Sequence, residues 1–337
     1  MTAFLKGEEA WLIAPGHLDK LVRASDVTEA VEAIKDTDIG KYLDTVLITT
    51  FDEADRALWG YLEFCLKRIE RFDLLPKDMK KVTAVYMEKF DVQNIKAAFE
   101  GSISGKKPAL IPLGTIYSSG MSGDLAKAAD AAAISTILDE CGLKDYAAIL
   151  ADYRAGSDVM SRMMFETALD RKYYDRLIGV ARKSSDGKAL VKAVGTSIDM
   201  RNIKTMLRGN ARGNGADSLK FSVGNGYLLT EKDLEQLSAV RFEDLSSHVP
   251  YAYQKLVQEV VTSYAKAKRI TVIEDIVDRY ELATVKSAIA SKLMSPIMIV
   301  WYLILKENEV RNMRLVLRAI FDKVPVEEIR DYLVMKA

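Results

Sequence analysis

The chain has 337 residues, 49% of them hydrophobic, which is enough for two or three domains with substantial cores. Its 48 basic and 48 acidic residues cancel, so no overall charge attracts nucleic acid or an anionic surface. The two cysteines, Cys65 and Cys141, are too few and too far apart for a disulfide framework or a zinc motif, and they fit a reducing compartment.

The sequence predicts neither a secretory signal nor a membrane span. Residues 1–9 lack the basic stretch and apolar core of a signal peptide. The longest apolar run, residues 297–305, is much shorter than the roughly 20 residues that a bilayer requires. We therefore expect this run to form a buried helix.

A short apolar pattern opens each third of the chain. Apolar residues recur at three-residue steps from Leu18, Leu125 and Leu234. This spacing predicts a short helix at the start of each of three domains. Before the third pattern, Thr230 and Asp233 have the spacing of an N-terminal helix cap.

Long proline-free stretches follow and are predicted to be helices: residues 51–72, 160–181 and 272–293. The second and third contain a related phrase in which an aspartate, Asp170 or Asp278, precedes an arginine. We find no convincing counterpart in the first. The acidic residues 52–55 are interpreted as favouring the positive end of a helix dipole.

One helical motif then occurs three times, at residues 91–101, 199–209 and 309–319. Each copy reads acid, two residues, asparagine, isoleucine or methionine, then a base. Its apolar residues fall on one stripe of an α-helix. The copies start 108 and 110 residues apart. A repeat near 109 residues favours three similar helical domains, which we place at residues 1–118, 119–228 and 229–337.

The polar residues of the motif are the candidate site residues. Asparagine is a poor interior helix residue, so its recurrence indicates a shared need. We favour a buried amide that a neighbouring helix satisfies in each domain, with direct contact to a partner as the alternative. A solvated face is the favoured role for most of the bases, and a charged rim is the alternative. The candidates are Asn94, Asn202, Asn312, Lys96, Lys204, Arg311 and Arg314.

Glycine-rich stretches follow the first two copies and are predicted to be domain linkers. Gly101 and Gly209 are predicted to end the two motif helices. Patterns of period two, which would indicate strands, are nearly absent. The predicted fold is all-α.

No catalytic, cofactor-binding or metal site is predicted. Residues 101–107 imitate a phosphate-binding loop but lack its spacing and its hydroxyl. His17 and His248 have no second ligand at metal-binding spacing. The carboxylates are scattered beside lysines and arginines, and no pattern selects a converging pair for acid–base catalysis.

Four stretches resemble the C-type component of the V/A-type rotary ATPases, whose eukaryotic vacuolar counterpart is the d-type component. They are residues 86–96, 111–115, 302–314 and 324–330, and the likeness extends over essentially the whole chain. The aromatic N-terminal phrase common in that family is reduced to Phe4 and Trp11. Ile39 stands where a tyrosine is often seen, and Ala319 replaces the glycine of the other two motif copies.

The resemblance implies a funnel of three helical domains around a pseudo-threefold axis, acting as a non-catalytic rotor part without cofactors. It implies a monomer on the cytoplasmic face of the membrane, bound through protein and not through lipid. The implied partners are the membrane proteolipid ring and the central-shaft subunits of the D and F type. In such a complex the chain would couple shaft to ring during ion-translocating ATP synthesis or hydrolysis. We hypothesise that some of Lys96, Lys204, Arg311 and Arg314 face the pseudo-axis.

Two other interpretations compete with this one. A helical interaction scaffold unrelated to rotary motors would share the repeats but need not bind a proteolipid ring. An all-helical enzyme would instead contain a deep pocket with converging acids.

Overall fold

The computed structural model describes residues 2–70, 76–153, 159–290, 292, 295 and 297–333. The predicted all-α fold is confirmed: the described residues form helices and no strand. In chain order the α-helices are α1 (Thr2–Glu8), α2 (Pro15–Leu21), α3 (Val27–Glu32), α4 (Asp38–Leu43), α5 (Phe51–Glu70), α6 (Lys77–Ser104), α7 (Thr115–Ser118), α8 (Ser122–Leu125), α9 (Ala131–Glu140), α10 (Lys144–Asp152), α11 (Val159–Arg182), α12 (Gly187–Ala211), α13 (Gly215–Ser218), α14 (Glu231–Ala239), α15 (Tyr251–Ala267), α16 (Thr271–Ala290) and α17 (Met298–Phe321). Short 3-10 helices occupy Glu9–Trp11, Leu219–Phe221, Phe242–Ser247 and Val326–Tyr332.

The three long proline-free stretches coincide with α5, α11 and α16. Residues 71, 72, 291 and 293 of the predicted helices lie outside the described part of the chain. The closing segment near residue 330 is a 3-10 helix. No helix in the described ranges is long and apolar enough to span a bilayer.

The chain divides into two compact units. One combines Met1–Met79 with Lys286–Ala337, and the other is Lys80–Val285. The predicted cut into thirds at residues 118 and 228 is a different partition of the chain, and it stays a prediction.

In the first unit, α5 packs against α17. The two helices are antiparallel, since Phe51 at the start of α5 meets Phe321 at the end of α17, with ring centroids 6.4 Å apart. Leu58 and Leu62 of α5 are buried, and so is the apolar run that begins at Met298. Burial of this apolar surface is the main favourable term in the packing of the unit.

In the second unit, the core gathers around the second motif helix, α12. The apolar stripe predicted on that helix is buried, and it belongs to one cluster with residues of α14, α15 and α16. The stripe consists of Met200, Ile203, Met206 and Leu207. In the same unit α9 packs on α10 and α11 packs on α12.

The predicted helix ends at Gly101 and Gly209 are wrong. The motif helices continue to Ser104 and Ala211. The left-handed residues lie further on, at Gly105 and Gly213, with φ of 68° and 76°. After α17 the corresponding position is Lys323, with φ of 58°. All three follow the motif asparagine by the same eleven residues.

Glycine is required at positions 101 and 209 for a different reason. The segment that follows each helix returns and packs closely against these positions. A Cβ on Gly101 would lie 2.9 Å from the carbonyl oxygen of Lys106. A Cβ on Gly209 would overlap the side chain of Ser218. These glycines therefore make room for the segment that follows each helix.

Helix starts follow the predicted capping chemistry. Thr230 and Asp233 form a reciprocal capping box at the start of α14. At the start of α5, the Glu53 carboxylate accepts the backbone N–H groups of Thr49 and Thr50 at 2.8 and 3.1 Å. The acidic residues of this first turn thus lie at the helix N-terminus, as predicted.

Candidate functional site

The motif asparagines bind the backbone of a returning loop. The Asn94 amide donates to the carbonyl of Ile111 at 2.9 Å and accepts its N–H at 2.7 Å. The Asn202 amide donates to the carbonyl of Gly224 at 2.8 Å and accepts from the Val223 N–H at 2.9 Å. Asn312 is buried in the same way. The amides of Asn94 and Asn202 are therefore satisfied by loop backbone, where the sequence suggested a neighbouring helix.

The motif acids bind the same returning segments one turn away. Asp91 accepts the N–H groups of Thr115 and Ile116, both at 2.9 Å. Asp199 accepts three successive N–H groups, of which that of Leu229 lies at 3.1 Å. Asp91 therefore holds the start of α7, and Asp199 holds the segment that leads into α14.

The third acid reaches back to the beginning of the chain. Glu309 accepts the N–H of Ile13 at 2.8 Å. Ile13 and Leu229 each precede an opening leucine, Leu18 or Leu234, by the same five residues. The acid of the third copy thus binds the first segment of the chain in the way that the acid of the second copy binds the segment after its own helix.

Glycines allow the loop backbone to approach the first two acids. Gly114 has φ of 93°, and a Cβ there would lie 2.5 Å from Oδ1 of Asp91. A Cβ on Gly226 would overlap the carboxylate of Asp199. A side chain at either position would displace the loop from its acid.

A buried tyrosine meets each motif helix. The Tyr146 hydroxyl donates to Glu88 at 2.9 Å, and that of Tyr253 donates to Asp199 at 2.6 Å. The Tyr61 hydroxyl accepts from Lys306 at 2.8 Å and lies 3.3 Å from Glu309. All three rings are buried, so these contacts are shielded from water.

The base of each motif makes an ion pair with a distant aspartate. Lys96 pairs with Asp170 and Lys204 pairs with Asp278, each at 2.7 Å. Arg314 pairs with Asp55 at 2.5 Å. Asp55 is therefore the counterpart of Asp170 and Asp278 that the sequence pattern did not reveal.

These contacts define three junctions. The first joins α6 to residues 111–116, Tyr146 and Asp170, and the second joins α12 to residues 223–229, Tyr253 and Asp278. Both lie in the second unit. The third joins α17 to Ile13, Tyr61 and Asp55, and it lies in the first unit. In the first two, a motif helix binds the segment that leads into the next third of the chain and two side chains within that third. In the last, the motif helix binds the first third.

Burial sets the electrostatics of the motif acids. It raises the pKa of Asp91 to about 6, against the opposing effect of the two N–H groups that the carboxylate accepts. Burial also raises the pKa of Asp199 and of Glu309. Asp91, with a pKa of about 6, is therefore mostly charged at neutral pH.

The candidate bases differ in exposure. The side chains of Lys96 and Lys204 are 21% and 17% exposed, and each lies within its junction. Arg314 is 48% exposed even though it pairs with Asp55. Arg311 is exposed on the same helix. The structure therefore divides the four bases into two within the packed helices and two at the surface.

Within the described ranges, no three His, Cys, Asp or Glu side chains are grouped to hold a metal ion. The carboxylates that converge at the junctions are occupied by tyrosine, lysine or backbone N–H groups. Each junction can hold segments of the chain together, and its polar groups are used for that purpose.

Comparison with known proteins shows the family of the chain. The sequence profile described as "ATP synthase (C/AC39) subunit" matches residues 1–332. The chain belongs to this family. As a member of this family, the chain is a non-catalytic structural subunit. The polar groups of its junctions correspondingly bind other segments of the same chain.

Three archaeal relatives, each described as the C-type component of an A-type ATP synthase, extend the match over nearly full length. The Methanocaldococcus jannaschii protein is 28% identical, over 99% of this chain and 85% of its own. The Thermococcus kodakarensis protein is 25% identical and the Pyrococcus furiosus protein 24% identical, each over 98% of this chain and 88% of its own.

The asparagines and bases of this family member follow from the repeated motif in the sequence, but part of each junction does not. The tyrosines and Asp55 lie outside the repeated motif, and they reach it through tertiary packing. Glu88, Thr196 and Lys306 stand three residues before each motif acid, but they share no chemistry. A search for recurring residues passes over such a position.

Proposed function

We propose that this chain is a central-stalk rotor subunit of a V/A-type ATPase or ATP synthase. In this role it couples the central shaft to the membrane proteolipid ring during ion-translocating ATP synthesis or hydrolysis. The full-length match to the C/AC39 family carries the proposal. The archaeal relatives, which are named as C-type components of A-type ATP synthases, support it.

The three junctions support a pseudo-threefold arrangement of helical domains in a funnel. Copies of one motif bind equivalent segments in cyclic order, as three similar domains around one axis require. Such an arrangement offers a rim at each end for two different partners. We place the shaft subunits of the D and F type at one end and the proteolipid ring at the other.

Stiffness is the physical requirement of this role. A part that transmits torque must not yield between its domains, and close-packed helices transmit strain. Each junction adds buried hydrogen bonds and an ion pair across helices from different thirds of the chain. These bonds resist sliding of one domain against the next.

The location proposed for the chain is the cytoplasmic face of the membrane, with attachment through protein. The described helices offer no bilayer span. Neutral overall charge gives no general attraction to anionic lipid. The contact with the membrane complex must therefore come from specific surfaces, among which the exposed Arg311 and Arg314 are candidates.

Purification of the tagged chain from detergent-solubilised membranes tests the proposal. We expect shaft and proteolipid subunits to co-purify in constant proportion. Arg311→Glu should reduce their recovery more than Lys232→Glu, an exposed charge reversal on α14 that serves as control. Capture of other soluble proteins without ring or shaft would favour the unrelated scaffold and overturn the proposal.

A further inference from the structure

The position three residues before each motif acid has a different charge in each junction. It is Glu88 in the first, Thr196 in the second and Lys306 in the third. All three side chains are buried, with exposures of 6%, 1% and 0%. Each contacts the tyrosine of its junction. One structural position therefore holds an acid, a neutral hydroxyl and a base.

The opposing surface matches that charge in each case. Glu88 makes a bidentate ion pair with Arg176, with both N–O distances 2.7 Å. Lys306 pairs with Glu309 of its own helix at 3.2 Å and, on the receiving side, lies 3.5 Å from Asp38, in a cluster where Glu8 and Asp38 surround Arg68. Thr196 faces the hydroxyl of Tyr253. The receiving side is thus basic in the first junction, neutral in the second and acidic in the third.

We propose that this position specifies which third of the chain each motif helix binds. The acid, asparagine and base recur in all copies, so they cannot distinguish the three receiving surfaces. The residue three places earlier can, because its charge suits only one of them. This inference concerns assembly of the chain itself and does not depend on the proposed rotor role.

Wrong pairings would place like charges or unpaired charges in buried positions. Glu88 against the first third of the chain would meet Asp38 and Glu8. Lys306 against the second third would meet Arg176. Against the neutral second junction, Glu88 would lack a counter-ion, and Lys306 would lose Asp38 and keep only Glu309 of its own helix. A buried charge without its full set of partners is costly. Specificity here comes from repulsion in the wrong pairs as much as from attraction in the right ones.

The alternative pairings are physically accessible because the chain contains three similar motifs. A motif helix that binds the wrong third, within one molecule or in a second copy, gives misfolded or domain-swapped oligomers. Charge at the distinguishing position should therefore affect the products of refolding more than the stability of the correctly folded monomer.

The test is refolding of the full chain from urea at several protein concentrations, analysed by size exclusion with light scattering. The main variant exchanges one pair, Glu88→Lys with Arg176→Glu, and includes Asp145→Asn because Asp145 also pairs with Arg176 at 2.7 Å. The first junction then stays complementary but has the polarity of the third. We expect its oligomer fraction to rise about fivefold over the parent chain. The matched control exchanges another cross-helix pair, Arg208→Glu with Glu274→Arg, and should refold like the parent.

Monomeric refolding of the exchanged variant at the yield of the parent chain would overturn the proposal. So would an equal rise in oligomers for the control. If the exchanged variant does not refold, Glu88→Gln with Arg176→Gln decides in the same assay, because the first junction then becomes neutral like the second. A rise in oligomers supports the proposal, and monomer at the parental yield overturns it.

Discussion

Asp91 holds its loop through two backbone N–H groups at once, Thr115 on one carboxylate oxygen and Ile116 on the other. An amide cannot replace it, since only one of its two heavy atoms accepts a hydrogen bond. We expect Asp91→Asn to lower the free energy of unfolding by about 1–3 kcal/mol, because its NH2 group faces an N–H donor in a buried site.

Urea denaturation measures this effect. Asp124→Asn is the control, because Asp124 is exposed and its carboxylate holds no loop. It should stay within about 0.5 kcal/mol of the parent chain. Equal midpoints for the two variants would mean that the Asp91 hydrogen bonds do not stabilise the fold.

The raised pKa of Asp91 predicts a pH dependence. A carboxyl whose pKa is about 6 when folded and near its ordinary value when unfolded takes up a proton on folding at intermediate pH. The stability that the folded state gains from this proton uptake is complete below about pH 4 and is lost as the pH rises through about 6. Between pH 7.5 and 5, the unfolding free energy of the parent chain should rise by about 1 kcal/mol relative to Asp91→Asn.

Urea titrations of both proteins across this pH range provide the measurement. The comparison cancels the titration of all other groups, provided that both proteins unfold in one step. A difference that stays constant from pH 5 to 7.5 would contradict the raised pKa.

The sequence could show which residues recur but not what they bind. Asn94 and Asn202 stood out because asparagine is unusual inside a helix. Their partners are backbone groups of a loop, which have no side-chain signature in the sequence. Asp55 was visible as an acidic residue at a helix start, but its pairing with Arg314 depends on packing between residues 259 positions apart.

At the scale of elements, the cross-helix ion pairs differ in how well water reaches them. Lys204 and Asp278 are 17% and 13% exposed, whereas Lys220 and Asp217 are both about half exposed. We expect a double-mutant cycle with alanine to give a coupling energy of about 1–2 kcal/mol for the first pair. The second pair, within one short segment, should give less than about 0.5 kcal/mol.

Unfolding free energies of the single and double variants give both couplings. The prediction fails if the two pairs couple equally, because that would mean that the junction is as well hydrated as the surface. Raising the salt concentration should weaken only the exposed pair appreciably.

Helix positions were the most predictable part of this molecule, since their apolar stripes and missing prolines are local signals. Helix ends were less so. Gly101 and Gly209 look like helix stops, yet each lies within its helix and makes room for a returning segment. Local sequence does not distinguish a glycine that ends a helix from one that lets another part of the chain approach.

At the scale of the whole molecule, the junctions should hold the chain together even when the backbone is cut. Residues 105–107 are exposed and lie between the first motif helix and the loop that it binds. We expect a protease site inserted after Lys107 to be cleaved without separation of the fragments. Lys96–Asp170 and Glu88–Arg176 both span the cut.

Native size exclusion and a denaturing gel of the cleaved protein show whether the fragments stay associated. One peak at the mass of the intact chain, together with two bands on the gel, is the expected result. The third junction also spans the cut, through Glu309–Ile13 and Arg314–Asp55. Separation of the fragments under native conditions would therefore show that the first and third junctions together are too weak to hold the cleaved chain.

The division into three domains stays a prediction, which the repeat and the equivalence of the junctions support. The all-α class followed from periodicity, and the family followed from full-length similarity. The cyclic order of the junctions could not be inferred from the motif, because nothing in residues 309–319 indicates that their acid binds Ile13.

That last contact suggests how such a chain arises. A protein one third as long would carry both a motif and an opening segment, and it would have to find the complementary half in another molecule, head to tail. Three short chains joined in this way form a closed homotrimer. Duplication and fusion of the gene turn two of the three encounters into loops of one polypeptide. The third junction, which includes the bond between Glu309 and Ile13, is then the encounter that no connecting loop replaced.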